Sequence, residues 1–130
     1  MTDSLLLDTS LVIWILTGSN QVSSRAKRAI FTASASLTVS IVSVWEIVLK
    51  YQAGKLQLSE DMGEAIDQIL YRSPWDILPV RAGHLTQVLS LPSIHKDPFD
   101  RILIAQALQE GMCIVTPDEK IAKYDVRTLW

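Results

Sequence analysis

The 130-residue chain is 48% hydrophobic, which suits one compact domain over residues 1–130 and argues against a second domain. A formal charge of −2 and a pI near 5.6 exclude the strongly basic footprint of a general nucleic-acid binder. Cys113 is the sole cysteine, so no intrachain disulfide forms and a cytoplasmic setting is expected; no stretch approaches the ~20 apolar residues of a membrane span.

Leu5-Leu6-Leu7 reads as a buried strand that stops at Asp8-Thr9-Ser10, a polar turn with a helix cap. Asp8 interrupts this short apolar run, which also lacks the basic segment of an export signal. At a strand's carboxyl end Asp8 stands where ligand sites collect in open parallel sheets, or else it serves only as the cap of the next helix. Leu11 to Leu16 forms a short apolar helix closed by Thr17-Gly18-Ser19-Asn20. Ser23 to Ala35 is an amphipathic pattern with Ala26, Ala29, Ile30 and Ala33 inward, and Arg25, Lys27 and Arg28 on the wet side, as a solvated face or as contacts to phosphate.

Leu37 to Ile41 is a β-branched run, after which Ser43 opens a helix through Tyr51 to the Gly54 stop. Glu46 stands among apolar residues of that helix, and Ser43 with Glu46 also has the spacing of a capping box. Lys50, one turn on, is an i,i+4 ion-pair partner or a phosphate contact. Ser59 to Tyr71 suggests another helix, with Glu60, Asp61 and Glu64 in the first turn where the dipole favours acids.

Trp75 to Val80 is an apolar strand interrupted by Pro79, which suits a sheet edge. Arg81 to Leu89 is a short helix ended by Leu91-Pro92. His84 is expected to be a partly exposed residue of it, since no second histidine lies at metal-site spacing. His95 is ambiguous. Asp97-Pro98 then reads as an N-cap and first helical residue. From Asp100 the positions i+3, i+4 and i+7 are Leu103, Ile104 and Ala107, so a carboxylate heads a core-facing stripe and needs a cation or donors. Gly111 ends that helix, Met112 to Val115 is a buried strand, and Thr116-Pro117-Asp118 repeats the placement of Asp8. A short helix near Glu119 to Tyr124 and a strand near Val126 to Trp130 follow. Strands separated by helical segments predict a mainly parallel sheet covered on both faces.

Asp8, Glu46, Asp100 and Asp118 thus share one expected address, the carboxyl edge of the sheet. No glycine-rich phosphate loop or Ser/His/Asp grouping competes with them. Crowded carboxylates raise one another's pKa unless a cation lies between them, and Mg²⁺ or Mn²⁺ is the hard ion that prefers such oxygens. With these four neutralised, ten acids remain against twelve lysines and arginines, a balance of +2 that suits an anionic substrate. A phosphoaspartyl site fits poorly, because the acid it needs two residues after Asp8 is Ser10.

The sequence resembles the PIN domain family, and within it the VapC-type ribonuclease toxins of bacterial toxin–antitoxin modules. The resemblance spans nearly the whole chain. It is carried by Leu6-Leu7-Asp8-Thr9-Ser10, Ser43-Val44-Trp45-Glu46-Ile47, His95-Lys96-Asp97-Pro98-Phe99-Asp100-Arg101 with Ile104-Ala105-Gln106-Ala107, and Val115-Thr116-Pro117-Asp118. It implies a three-layer α/β/α fold and a catalytic, metal-binding quartet of Asp8, Glu46, Asp100 and Asp118 for Mg²⁺ or Mn²⁺. Thr116 would be polar support, and Asp97 either an outer acid or a plain N-cap. An RNA substrate, a small antitoxin partner and a homodimer are further implications, with the apolar residues Trp45, Val48 and Leu49 serving association or the core. Lys50, Lys96 and Arg101 are candidate phosphate contacts, Arg101 alternatively pairing with a neighbouring acid. Competing readings are a structure-specific DNA nuclease, for which the chain lacks clamping length, and a non-catalytic PIN-fold interaction module.

Overall fold

The computed structural model describes residues 4–32, 35–58 and 61–130. Five strands, β1 (Ser4–Leu7), β2 (Ser36–Ser40), β3 (Asp76–Leu78), β4 (Cys113–Val115) and β5 (Thr128–Leu129), form one parallel sheet in the order β3-β2-β1-β4-β5. Central β1 is apolar on both faces for that reason. Leu5 and Leu7 point into one core with Val39, Ile47 and Val115, whereas Leu6 points into the other with Leu103, Ile104 and Ile114. β3, followed by Pro79, lies at the edge as its proline predicts.

The first core is covered by α1 (Thr9–Thr17), α2 (Ser24–Ile30) and α3 (Ile41–Gln52), and by α4 (Met62–Asp67), which continues as a π-helical turn to Arg72. The second core is covered by α6 (Pro98–Glu110) and α7 (Glu119–Ala122), with α5 (Ala82–Leu89) packed on α6. Cys113 belongs to the first core, as a small buried side chain.

Four expectations change. The helix expected from Ser43 starts at Ile41, because the buried Ser40 hydroxyl caps it by accepting the Val42 N–H at 3.1 Å. Ser43 therefore lies inside the helix and forms no capping box with Glu46. The helix expected from Ser23 to Ala35 ends at Ile30, with Ser23 as its cap; residues 33 and 34 of that range lie outside the described residues. Of the helix expected from Ser59, residues 59 and 60 are likewise outside, and the cap is Asp61, which accepts the Glu64 N–H at 2.8 Å. His84 is not partly exposed but buried, 1% accessible, with Nδ1 accepting the Arg81 N–H at 2.9 Å and the Gln106 amide 3.4 Å away. The packing of α5 on α6 buries it, a tertiary contact that spacing within α5 does not reveal.

Candidate metal centre

Strand order reverses beside β1, with β2 and β3 on one side and β4 and β5 on the other. Loops leaving the strands at such a switch point diverge and leave a crevice at the carboxyl edge. Here the crevice, about 250 Å³, is lined by Asp8, Thr9, Ser10, Glu46, Asp100 and Asp118 among others. The four acids singled out from sequence, distant in the chain, therefore meet in one place.

Asp8 ends β1 and occupies the N-cap position of α1. Its Oδ2 accepts the Thr116 hydroxyl at 2.5 Å, and Thr116 Oγ1 in turn accepts the Asp118 N–H at 3.0 Å. One buried hydroxyl thus joins the ends of β1 and β4 and positions an acid from each. Burial pushes the Asp8 carboxyl above its ordinary range, with the Asp118 charge adding to this; Thr116 and the Ser10 and Thr9 amides offset part of it.

Glu46 arrives from α3. Thr9 Oγ1 donates to Ser43 Oγ at 2.8 Å, which ties the head of α1 to α3 one turn before Glu46. Glu46 Oε2 lies 3.6 Å from Lys50 Nζ, while its buried Oε1 has no hydrogen-bond partner among the described residues. Asp100 lies in the first turn of α6, whose cap is Asp97 Oδ1 accepting the Phe99 N–H at 2.9 Å. Asp97 is thus a helix cap that also lines the crevice. The Asp100 side chain is 14% exposed, and its pKa is pushed up to about 7 by burial first and then by the charges of Asp8 and Asp97, with a smaller push from Glu46.

His95, which sequence reasoning left undecided, lies within this cluster. Its Nε2 is 2.9 Å from Asp118 Oδ2 and 3.0 Å from Asp100 Oδ2. Because Nδ1 accepts the Asp97 N–H at 3.1 Å, the ring proton sits on Nε2 and is shared between the two carboxylates. At Asp118 burial opposes ionisation, but the His95 hydrogen bond and the Lys120 and Ile121 amides outweigh it and hold the carboxyl below its usual range. A histidine two residues before an Asp-Pro cap was the available signal; the Asp118 partner, 23 residues away, was not legible locally.

Arg101 is used otherwise than expected of a phosphate contact. Its guanidinium donates to the Pro92 carbonyl at 2.9 Å and lies within 3.5 Å of the Val88, Leu91 and His95 carbonyls and the Tyr124 hydroxyl. Tyr124 Oη also accepts the His95 N–H at 2.8 Å. Arg101 and Tyr124 together anchor the loop that carries His95. Lys50, Lys96 and the partly exposed Leu49 line the groove, whereas Trp45 is a surface residue.

The donor set fits a hard divalent cation. Carboxylate oxygens of Asp100 and Asp118 lie within 4.8 Å of each other, with the His95 N–H between them rather than a free ring nitrogen. Asp8 and Glu46 add oxygens to the same crevice, where Glu46 Oε1 is buried without a hydrogen-bond partner among the described residues.

An acid-lined switch-point crevice on a five-stranded parallel sheet defines a three-layer α/β/α protein of the PIN type. The PIN domain profile matches residues 5–127, and the chain belongs to that family. A comparison with curated protein sequences gives no significant match. Among solved structures, the chain is similar to VapBC2 from Rickettsia felis bound to a promoter DNA fragment, with a TM-score of 0.71, 14% identity and 97% of each chain covered. It is also similar to DNA-bound VapBC from Salmonella typhimurium, with a TM-score of 0.70 and 17% identity over 98% of this chain and 97% of that one. VapC20 of Mycobacterium tuberculosis, described as a sarcin-ricin-loop-cleaving toxin, gives a TM-score of 0.64 and 18% identity over 95% of this chain and 98% of its own. At these identities the likeness is one of fold. Among the described residues no helix is long and apolar enough to cross a membrane.

Proposed function

We propose that this PIN-domain protein is a metal-dependent endoribonuclease, cutting single-stranded or loop RNA as the toxin of a toxin–antitoxin module. The observation that carries the reading is the convergence of Asp8, Glu46, Asp100 and Asp118 on one crevice, with Glu46 Oε1 buried and unpartnered. These four acids would hold Mg²⁺ or Mn²⁺. When bound, such an ion supplies activation of water and stabilises charge gathering on the phosphate. Thr116 fixes the Asp8 carboxylate, and the His95 N–H holds Asp118 and Asp100 toward each other. Lys50 and Lys96, at the groove, meet the RNA backbone.

The likeness to VapC20 supports RNA as substrate, and the likeness to VapBC complexes supports an antitoxin partner. Purified protein is expected to cleave RNA with Mg²⁺ or Mn²⁺ and to lose this with EDTA or with Asp8→Asn; equal cleavage by that variant would sink the assignment. Competition between RNA and DNA substrates separates this from a DNA nuclease. Tight Mn²⁺ binding without cleavage of any nucleic acid would instead identify a non-catalytic module.

Expression alone is expected to arrest growth and co-expression of an adjacent small protein to relieve it; harmless expression of an active nuclease would refute the toxin role. A homodimer belongs to the same proposal. Leu85 and Leu89, exposed one turn apart on α5, are apolar surface that a second copy would cover. Hydrodynamic mass at micromolar concentration decides between monomer and dimer. A cytoplasmic location follows from this reading.

A further inference from the structure

Beside the acidic crevice lies a wider cavity of about 550 Å³, which shares Glu46, Lys50 and Asp97 with it. The two form one continuous groove with opposite chemistry at its ends. The narrow end is carboxylate. The wide end has an apolar floor of Leu49, Pro98 and Phe99 with Lys50, Lys55 and Lys96 around it.

The backbone brings those lysines together. At the carboxyl end of α3, Gly54 takes the left-handed conformation, φ 73°, and the Lys55 N–H returns to the Lys50 carbonyl at 2.9 Å. Lys55 is thereby folded back to the same helix end as Lys50. Lys96 comes from the opposite wall, next to the Asp97 cap of α6. Lys50 faces Glu46 at 3.6 Å, but among the described residues Lys55 and Lys96 have no carboxylate within ion-pair distance. Phe99 meets Trp45 edge-on, with centroids 5.2 Å apart, which fixes the ring's orientation at the floor. The volume falls within the ~300–1,000 Å³ of small-molecule sites.

We infer that this wide end is a nucleotide subsite, which holds the base flanking the scissile bond on Leu49, Pro98 and Phe99 and that nucleotide's phosphate between Lys55 and Lys96. The inference rests on the ribonuclease reading and adds a place for a specific neighbouring nucleotide. A cationic peptide suits the acidic end and is repelled from the lysine end. An anionic chain bearing flat apolar groups suits the wide end directly and the narrow end through the metal ion. Nucleic acid is the polymer of that description.

The test begins with wild-type protein, Mn²⁺ and a single-stranded RNA; absence of both binding and cleavage overturns the ribonuclease reading and the subsite with it. Given cleavage, kcat/KM is compared on a dinucleotide without terminal phosphates, which carries the flanking base but not the outer phosphate assigned to the lysines, and on a longer RNA. The variant Lys55→Gln is expected to lose several-fold on the longer RNA and little on the dinucleotide, and to reduce the salt slope by about 0.7. An abasic residue beside the cut is expected to cost the wild type about tenfold, from lost stacking, and Phe99→Leu much less. Intact wild-type cleavage with an unchanged salt slope and no abasic penalty overturns the subsite alone and leaves the ribonuclease reading standing. Loss of protein-partner binding by the lysine variant, with RNA kinetics unchanged, identifies a protein-docking pocket and also overturns it.

Discussion

His95 Nε2 lies 2.9 Å from Asp118 Oδ2, a contact between the loop before α6 and the loop after β4. With Nδ1 occupied by the Asp97 amide, the imidazole is held in the one tautomer that donates to Asp118 and Asp100. It is a positioning residue for two acids of the cluster. His95→Ala is expected to weaken Mn²⁺ binding by about 10–100-fold, the usual cost of losing an outer-shell partner, with partial recovery in His95→Gln, which keeps an N–H donor. Titration by electron paramagnetic resonance reads this without turnover. Unchanged or tighter binding in the alanine variant would mean that the ring merely fills the cation's place.

Asp100, with its pKa pushed up to about 7, makes metal binding pH-dependent. Its carboxyl must release a proton to ligate, so Mn²⁺ affinity is expected to rise about tenfold per pH unit below 7 and to level off above it. Stability of the metal-free protein runs the other way. Between the ordinary value of 3.8 and about 7 the folded chain holds a proton on Asp100 that the unfolded chain has lost, so stability falls as pH rises through that window. Asp8, also raised, adds to the same slope. Asp118, lowered, contributes stability above 3.8 that is lost as pH falls through its folded-state value. Thermal melts at pH 5 and 8 test the sign, and saturating Mn²⁺ is expected to abolish the decline.

Thr116→Val keeps the shape of a buried side chain but removes the donor to Asp8 and the acceptor for the Asp118 N–H. Leaving such groups unsatisfied costs about 1–3 kcal/mol, and the Asp8 carboxyl loses an interaction that lowers its pKa. Denaturant unfolding should show the loss, with weaker Mn²⁺ binding alongside. Thr116→Ser is expected to restore most of both.

Arg101→Gln distinguishes an anchor from a phosphate contact. Stripping donors from the Pro92, Leu91 and Val88 carbonyls is expected to cost about 1–3 kcal/mol of stability. The salt slope of RNA binding is expected to stay unchanged at temperatures where the variant is folded, whereas a direct phosphate contact would reduce it by about 0.7.

Much of this was legible from local pattern, and the reason is physical. The Asp97-Pro98 cap, the Leu103, Ile104 and Ala107 stripe behind Asp100, the apolar β1 and β4 strands and the Pro79 edge all express preferences decided within a few residues. Asp8 and Asp118 stood out because each follows such a strand, Asp100 because it follows the Asp97-Pro98 cap, and Glu46 as an acid within an apolar helix. What local pattern did not contain is anything decided by pairing across the chain. Burial of His84 depends on α5 packing against α6, and the start of α3 on the buried Ser40 hydroxyl. The His95–Asp118 contact and the Thr116 bridge require β4 to lie beside β1, a pairing 108 residues apart in the bridge itself. Sequence alone therefore determined which residues carry the charge and which elements bear them. Tertiary structure decided that those charges share one crevice, with a histidine between two of them and a lysine-rimmed pocket alongside, because long-range strand order brings distant loops to the same edge.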